Sequence, residues 1–236
     1  MRLIVISDTH GNHREIEKLP KGDVLIHCGD ISNIGGREDV EDFIDWFDSQ
    51  PHTHKIFIAG NHDKSFDPKY NRDLLLVNDE QLAGRLQNTK PFWLNILLNE
   101  IVEKNIHYLE NSGVTIDGVK FWGSPITPDF YPERWAFNAT RGETIKKYWD
   151  RIPTDTDVLI THGPPLHRFD WVVRGGFDVG CEELDRIVSQ IQPRFHFFGH
   201  IHESYGSEKV GNTTFANASL LNENYRMVNE PMTFKI

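Results

Sequence analysis

The sequence predicts an α/β fold built on a largely parallel sheet, and three observations predict it. Short runs rich in Ile, Val, Leu and Phe recur without polar alternation, the pattern of strands buried on both faces. Segments with helical spacing of apolar residues separate them. Five of these runs end in loops that carry Asp, His or Asn, and in open α/β sheets ligands gather at the carboxyl ends of strands.

The elements follow in chain order. Leu3–Ile6 stops at Ser7-Asp8-Thr9-His10, and Val24–Ile26 stops at His27-Cys28-Gly29-Asp30. A helix over Glu38–Ser49 sets Val40, Phe43, Ile44 and Phe47 on one stripe. Lys55–Ala59 stops at Gly60-Asn61-His62-Asp63. A polar, irregular stretch over Pro68–Asn88 precedes an amphipathic helix over 90–104, with Trp93, Ile96, Leu97, Ile101 and Lys104 at helical spacing. Its apolar face packs on the core. The alternating runs Val114–Ile116 and Val119–Phe121 flank Asp117-Gly118, a hairpin signal. A second helix covers Arg141–Trp149. Val158–Ile160 stops at Thr161-His162-Gly163, where Pro164-Pro165 stiffens the loop that aims His162. A helix over Cys181–Ile191 carries Leu184, Ile187, Val188 and Ile191, and Phe195–Phe198 stops at Gly199-His200-Ile201-His202. Thr213–Phe215, after Gly211-Asn212, and Met232–Phe234 read as antiparallel strands, some of the short alternating runs lying in a second sheet. No repeat, low-complexity tract or linker divides residues 1–236, so a single domain is expected, with a variable, partly helical insertion at about 68–112.

Composition narrows the function. The 236 residues include 25 Lys+Arg and 35 Asp+Glu, a formal charge of −10, which argues against tracking along long nucleic acid. It does not exclude a small phosphate ester held by metal ions. No apolar run reaches a membrane span, and MRLIVISDTH reads as a strand rather than a leader, so a cytoplasmic protein is expected. The two cysteines, Cys28 and Cys181, read as free thiols.

Each ligand-bearing motif is weak alone, but together they converge. Asp8, His10, Asp30, Asn61, His162, His200 and His202 offer two carboxylates, one amide and four imidazoles, all just after apolar strands. Oxygen and imidazole donors without thiolate suit Mn, Fe, Zn, Ni or Co. Seven donors exceed what one ion takes; if one carboxylate bridges, two ions are served, the clamp used for in-line displacement at phosphorus.

In order along the chain, DTH (8–10), GD (29–30), GNHD (60–63), THGPP (161–165) and GHIH (199–202) resemble the calcineurin-like metallophosphoesterases. GSPITP (123–128), FNATRG (137–142), FDW (169–171), GC (180–181), PRFHFFGHIHESYG (193–206) and NAS (217–219) resemble its metallophosphoesterase-domain-containing branch. The likeness spans nearly the whole chain and is thinnest at about 68–112. It implies a four-layer α-β-β-α sandwich with two mixed sheets. It further implies a dinuclear centre with Asp8, His10 and His202 on the first ion, Asn61, His162 and His200 on the second, and Asp30 between them. Mn²⁺ is the expected metal, with Fe/Mn, Zn, Co and Ni as the other candidates.

The expected activity is hydrolysis of small phosphodiesters, cyclic nucleotides above all (2′,3′- or 3′,5′-cyclic monophosphates), by a metal-bridging hydroxide. His62 is the expected acid for the leaving group, with Asp63 orienting it. Asn12, His13 and Asn33 lie beyond the metal loops and are candidate substrate contacts, with Asn61 and His62. Arg141 joins them by resemblance only. Phe130, Tyr131, Trp135 and Phe137 read as loop anchors, with base stacking as the alternative. His52, His54 and His107 read as surface residues. A broad phosphomonoesterase/phosphodiesterase is the runner-up. A non-catalytic metal-containing scaffold is the alternative of another class. Oligomeric state is not readable from the sequence.

Overall fold

The computed structural model describes residues 1–71, 89–131, 133–173 and 175–236. Its strands are β1 (Arg2–Ile6), β2 (Val24–His27), β3 (His54–Phe57), β4 (Ile106–Tyr108), β5 (Ser112–Ile116), β6 (Val119–Ser124), β7 (Thr127–Pro128), β8 (Asn138–Ala139), β9 (Val158–Thr161), β10 (Trp171–Val172), β11 (Phe177–Asp178), β12 (Phe195–Phe198), β13 (Gly206–Val210), β14 (Thr213–Asn217) and β15 (Met232–Lys235). Its α-helices are α1 (Arg37–Asp48), α2 (Phe92–Glu100), α3 (Glu143–Trp149) and α4 (Glu182–Ile191).

Among the described residues the strands form two large mixed sheets. One runs β15-β1-β2-β3-β4 and the other β13-β14-β12-β9-β6-β5. Within the first, only β15 is antiparallel to its neighbour; within the second, the outer hairpins β13–β14 and β5–β6 are antiparallel and the centre is parallel. The side-chain period of two explains how they stack. Leu3, Val5, Val24 and Ile26 of the first sheet meet Val158, Ile160, Phe195 and Phe197 of the second in one buried cluster. The alternate residues Ile4, Ile6, Leu25 and Phe57 face outward beneath Val40, Phe43, Ile44 and Phe47 of α1. Leu159 and Phe198 likewise belong with Ile145 and Trp149 of α3 and Leu184 and Val188 of α4. Helix, sheet, sheet and helix therefore stack as four layers, with β1, β2, β3, β9 and β12 buried on both faces as their unbroken apolar runs require. A ring such as Phe43, fully buried, contributes on the order of 2–3 kcal/mol.

Several expectations change. The helix expected over 90–104 is α2 followed by a 3-10 turn, Ile101–Lys104. Its buried anchor is Leu94 with Ile101, while Ile96 is exposed, because the helix turns the 94/97/98/101 stripe to the core. The irregular stretch begins with a 3-10 turn at Pro68–Tyr70, and residues 72–88 lie outside the described residues. β13, polar and at a sheet edge, carries no apolar pattern to announce it. β14 is parallel to β12 as well as antiparallel to β13. His52 is buried, bonded to the Pro20 carbonyl, and His54 and His107 are half-buried with rings 6.4 Å apart, so none is a plain surface residue. Cys28 and Cys181 are free and buried. No helix among the described residues is long and apolar enough to cross a membrane.

Candidate metal centre

The loops after β1, β2, β3, β9 and β12 meet at one end of the sandwich, where the two sheets share a seam. Backbone bonds zip the loops together: Asp8 N–H to Gly29 O, His10 N–H to Asp30 O, and Gly199 N–H to His162 O, each 3.0 Å. Side chains then stitch one sheet to the other. His162 Nδ1 donates to the Cys28 carbonyl at 2.9 Å, and the His200 amide donates to the Asp8 carboxylate at 3.0 Å.

The backbone is strained where the donors sit. Asp8, His10, Asp30 and His200 have φ of 53, 43, 56 and 69°, in the left-handed region that residues with a Cβ seldom enter. Two glycines make room. A Cβ on Gly60 would strike the Asp30 carboxylate and lie 2.6 Å from His162 Cε1, and one on Gly199 would strike Asp8 and Ser7. The cluster could not close around bulkier residues at these points.

Three groups of donors lie close enough to hold an ion: Asp8, His10 and His202; Asp30, His162 and His200; and His10, Asp30 and His62. His10 Nε2 lies 3.2 Å from His202 Nε2 and 3.5 Å from Asp30 Oδ2. His162 Nε2 lies 3.0 Å from Asn61 Oδ1 and 3.3 Å from Asp30 Oδ2. Two of the tautomers are fixed by carbonyl partners. His162 Nδ1 bonds Cys28 O, and His202 Nδ1 bonds Asn222 O at 3.1 Å, so in each neutral ring Nε2 is a lone pair aimed into the cluster. With those rings neutral, lone pairs of nitrogen and oxygen converge and repel one another, and a proton held on His162 or a cation relieves that repulsion.

The electrostatics agree. Burial lowers His10 to about 4 against the pull of Asp30, and burial together with the charge of His162 lowers His200 to about 3, which keeps both neutral. Burial works to raise Asp30, yet the neighbouring imidazoles, His162 foremost, hold it well below the usual carboxylate range. His162 is the converse: burial pulls it down, but the Asp30 charge and hydrogen bond lift it to about 9. The spot between Asp30 and His162 therefore favours positive charge, and the donor set fits hard or borderline divalent ions.

The surrounding residues depart from expectation in several places. Asp63 does not touch the His62 side chain. Its carboxylate accepts from Ile31 N, Ser32 N, Ser32 Oγ and Gly60 N, tying the Asp30 loop to the Asn61 loop, and burial and Asp30 raise it to about 6. His62 is oriented instead by Asn33, through its backbone carbonyl, which accepts from Nδ1 at 2.7 Å. Trp135 stacks on the His62 ring at 4.1 Å. His13 is buried beside Phe43 and Trp46 with Nε2 on Asp42, and Arg141 donates to the carbonyls of Val179 and Gly180. Neither lines the cavity over the donors, nor does Asn12, whose carbonyl accepts from Glu15.

That cavity, about 300 Å³, is walled by Asp30, Asn61, His62, His200 and His202 and by Phe130, Tyr131, Trp135, Glu203, Glu223 and Tyr225. Of the aromatic loop only Phe137 is a buried anchor; Phe130 and Tyr131 are 43% and 58% exposed at the cavity. Phe130 lies 5.3 Å from His200, and Tyr225 lies 4.9 Å from His10 and 5.1 Å from His202. Tyr225 and Glu223 carry no motif of their own in the sequence, and Glu203 lies within the stretch 193–206 but is not singled out there. Only Glu203, next to His202, stands beside a recognisable ligand.

The family model for calcineurin-like phosphoesterases matches residues 1–204. The chain belongs to that family. Metallophosphoesterase domain-containing protein 1 of Homo sapiens is 41% identical over 236 residues, covering 100% of this chain and 71% of that one. A Caenorhabditis elegans relative is 39% identical over 237 residues, covering 100% and 75%. A solved Thermus thermophilus structure superposes with a TM-score of 0.57 at 14% identity over 92% of this chain and 88% of that one, a likeness of fold. As a calcineurin-like phosphoesterase, the chain carries at the carboxyl ends of its strands the donor groups that divalent ions of this family require.

Proposed function

We propose that the protein is a dinuclear metal-dependent phosphodiesterase acting on small diesters, cyclic nucleotides among them. Asp8, His10 and His202 would hold one ion, Asn61, His162 and His200 the other, and Asp30 both, with Mn²⁺ as the working metal. The bound ions would supply a nucleophile by acidifying water and would neutralise charge on the phosphate oxygens.

The observation that carries the reading is the cavity wall. Among the described residues it has aromatic rings and, beyond the ligand candidate Asp30, two carboxylates, Glu203 and Glu223, but no Lys or Arg. A phosphomonoester brings close to two negative charges and gains from extra cations, whereas a diester brings one and an organic group on each side. The rings suit the organic groups, and the carboxylates disfavour the dianion. A small substrate rather than long nucleic acid also accords with the net charge of −10.

The chain's own residues then do the following. Because Nδ1 of His62 is committed to the Asn33 carbonyl, Nε2 is the atom that delivers a proton to the departing oxygen. The Trp135 face keeps that ring from swinging away. The His62 amide, 2.8 Å from Asp30 Oδ1, fixes the carboxylate that both ions would share. The test compares bis(p-nitrophenyl) phosphate with p-nitrophenyl phosphate in Mn²⁺. Faster diester turnover is expected, and faster monoester turnover would overturn the reading.

A further inference from the structure

We infer that Glu203 reads the substrate's base and that the base it accepts is guanine; this rests on the phosphodiesterase reading above and names its substrate. Glu203 lies in the 3-10 turn His202–Ser204, one residue beyond a metal-ligand candidate, and lines the cavity. Two bonds lock that turn against the β10–β11 hairpin. Val173 N–H donates to Glu203 Oε1 at 3.0 Å, and Ser204 Oγ donates to the Trp171 carbonyl at 2.7 Å. The carboxylate is thus held in place by a neutral amide, and among the described residues no Lys, Arg or His pairs with it.

A carboxylate held this way beside a phosphate site repels the substrate's own charge unless the substrate returns hydrogen-bond donors to it. The rest of the wall says what carries those donors. Phe130, Tyr131 and Tyr225 leave 43%, 58% and 51% of their surface exposed beside the donors. Exposed ring faces in a cavity stack on a flat ring. The ligand is therefore a planar heterocycle with donors on its edge.

The four bases differ on that edge. Guanine offers N1–H and N2–H side by side, a match for the two oxygens of a carboxylate. Adenine sets its N6–H beside the N1 acceptor, cytosine sets N4–H beside N3, and uracil flanks its single N3–H with two carbonyls. Each of these turns a lone pair on the carboxylate. Glutamate selects guanine by accepting two bonds and by repelling the alternatives.

The experiment measures kcat/KM of the Mn²⁺-loaded protein for 2′,3′-cyclic GMP, AMP, CMP and UMP, for a choline-bearing diester, and for bis(p-nitrophenyl) phosphate, which has no base. Wild type should favour the guanine substrate by about tenfold or more, since the rivals set an acceptor against the carboxylate in place of a second donor. In Glu203→Gln the amide oxygen takes the Val173 N–H and the amide nitrogen faces the ligand. It opposes guanine's donors and meets adenine's N1. The guanine-to-adenine ratio should fall through one, a reading that a general loss of rate does not move. The inference is overturned by equal rates on all bases in wild type, by an unchanged ratio in the variant, or by the choline diester outrunning every nucleotide. If bis(p-nitrophenyl) phosphate is hydrolysed in any of those cases, the phosphodiesterase reading stands alone; if no diester is hydrolysed, both fall.

Discussion

Single residues carry the chemistry, and His62 is the sharpest case. Its ring is held by three contacts: the Asn33 carbonyl, the Trp135 face at 4.1 Å and the edge of His10 at 4.5 Å. A group so placed acts in the step that releases the leaving oxygen. His62→Ala is expected to lower kcat by about 10²–10⁴ with KM little changed and metal content retained, checked by steady-state kinetics beside elemental analysis. Equal loss on a diester with p-nitrophenolate, which leaves without a proton, and on one with an alkoxide leaving group would contradict an acid role. The donor residues were legible in the sequence because Asp, His and Asn after apolar strands are an uncommon coincidence. The orienter of His62 was not, because it is a backbone carbonyl, and every residue has one. Asp63 looked the better orienter by adjacency, yet adjacent residues project differently, and its carboxylate is spent on four donors of the two loops.

At the scale of elements, β12 shows how a strand supports the centre from behind. His196 is fully buried between sheet neighbours and helix-facing rings, with Phe198 and Phe215 at 5.1 and 5.8 Å. Thr161 Oγ1 donates to the Gly163 carbonyl and lies 2.8 Å from His196 Nε2, so the histidine braces the loop that carries His162. Burial lowers His196 to about 3, against about 6.5 for the unfolded chain. The folded state therefore prefers the neutral ring. That contribution is whole above pH 6.5 and is lost as pH falls from 6.5 toward 3, at about 1.4 kcal/mol per unit. Urea unfolding in EDTA at pH 7.5 and 5.5 should show wild type losing about 1.4 kcal/mol more than His196→Gln. Equal losses would contradict it. The strands and α1 were readable because each presents one period of apolar residues over its length. The stripe of α2 differs from the expected one because six of its nine residues are apolar and are spread around the helix, so spacing does not single out a face. β13 was unreadable because an edge strand with exposed polar side chains has no buried face to pattern.

At the scale of the whole molecule, two stacked sheets bring loops from distant parts of the sequence to one seam, and a net charge of −10 surrounds it. Two divalent ions would add four charges locally, so an acidic protein and an anionic substrate are compatible once the centre is loaded. The layered fold was legible from the alternation of strands and helices, and its division into two sheets from the Asp117-Gly118 hairpin and the resemblance. The cavity wall was legible only in part: base stacking was the alternative reading of Phe130, Tyr131 and Trp135, but their meeting with Glu203 and Tyr225 comes only through the fold. The central claim is that these loops hold two ions on one shared carboxylate. The most direct test is the metal content of the purified protein, by elemental analysis after loading with Mn²⁺ and removal of excess, for wild type and Asp30→Asn. Wild type should carry about two ions per chain and Asp30→Asn well below one, with diesterase activity lost in step. Full diesterase activity in chelated, metal-free protein, or an unchanged two ions in Asp30→Asn, would contradict it.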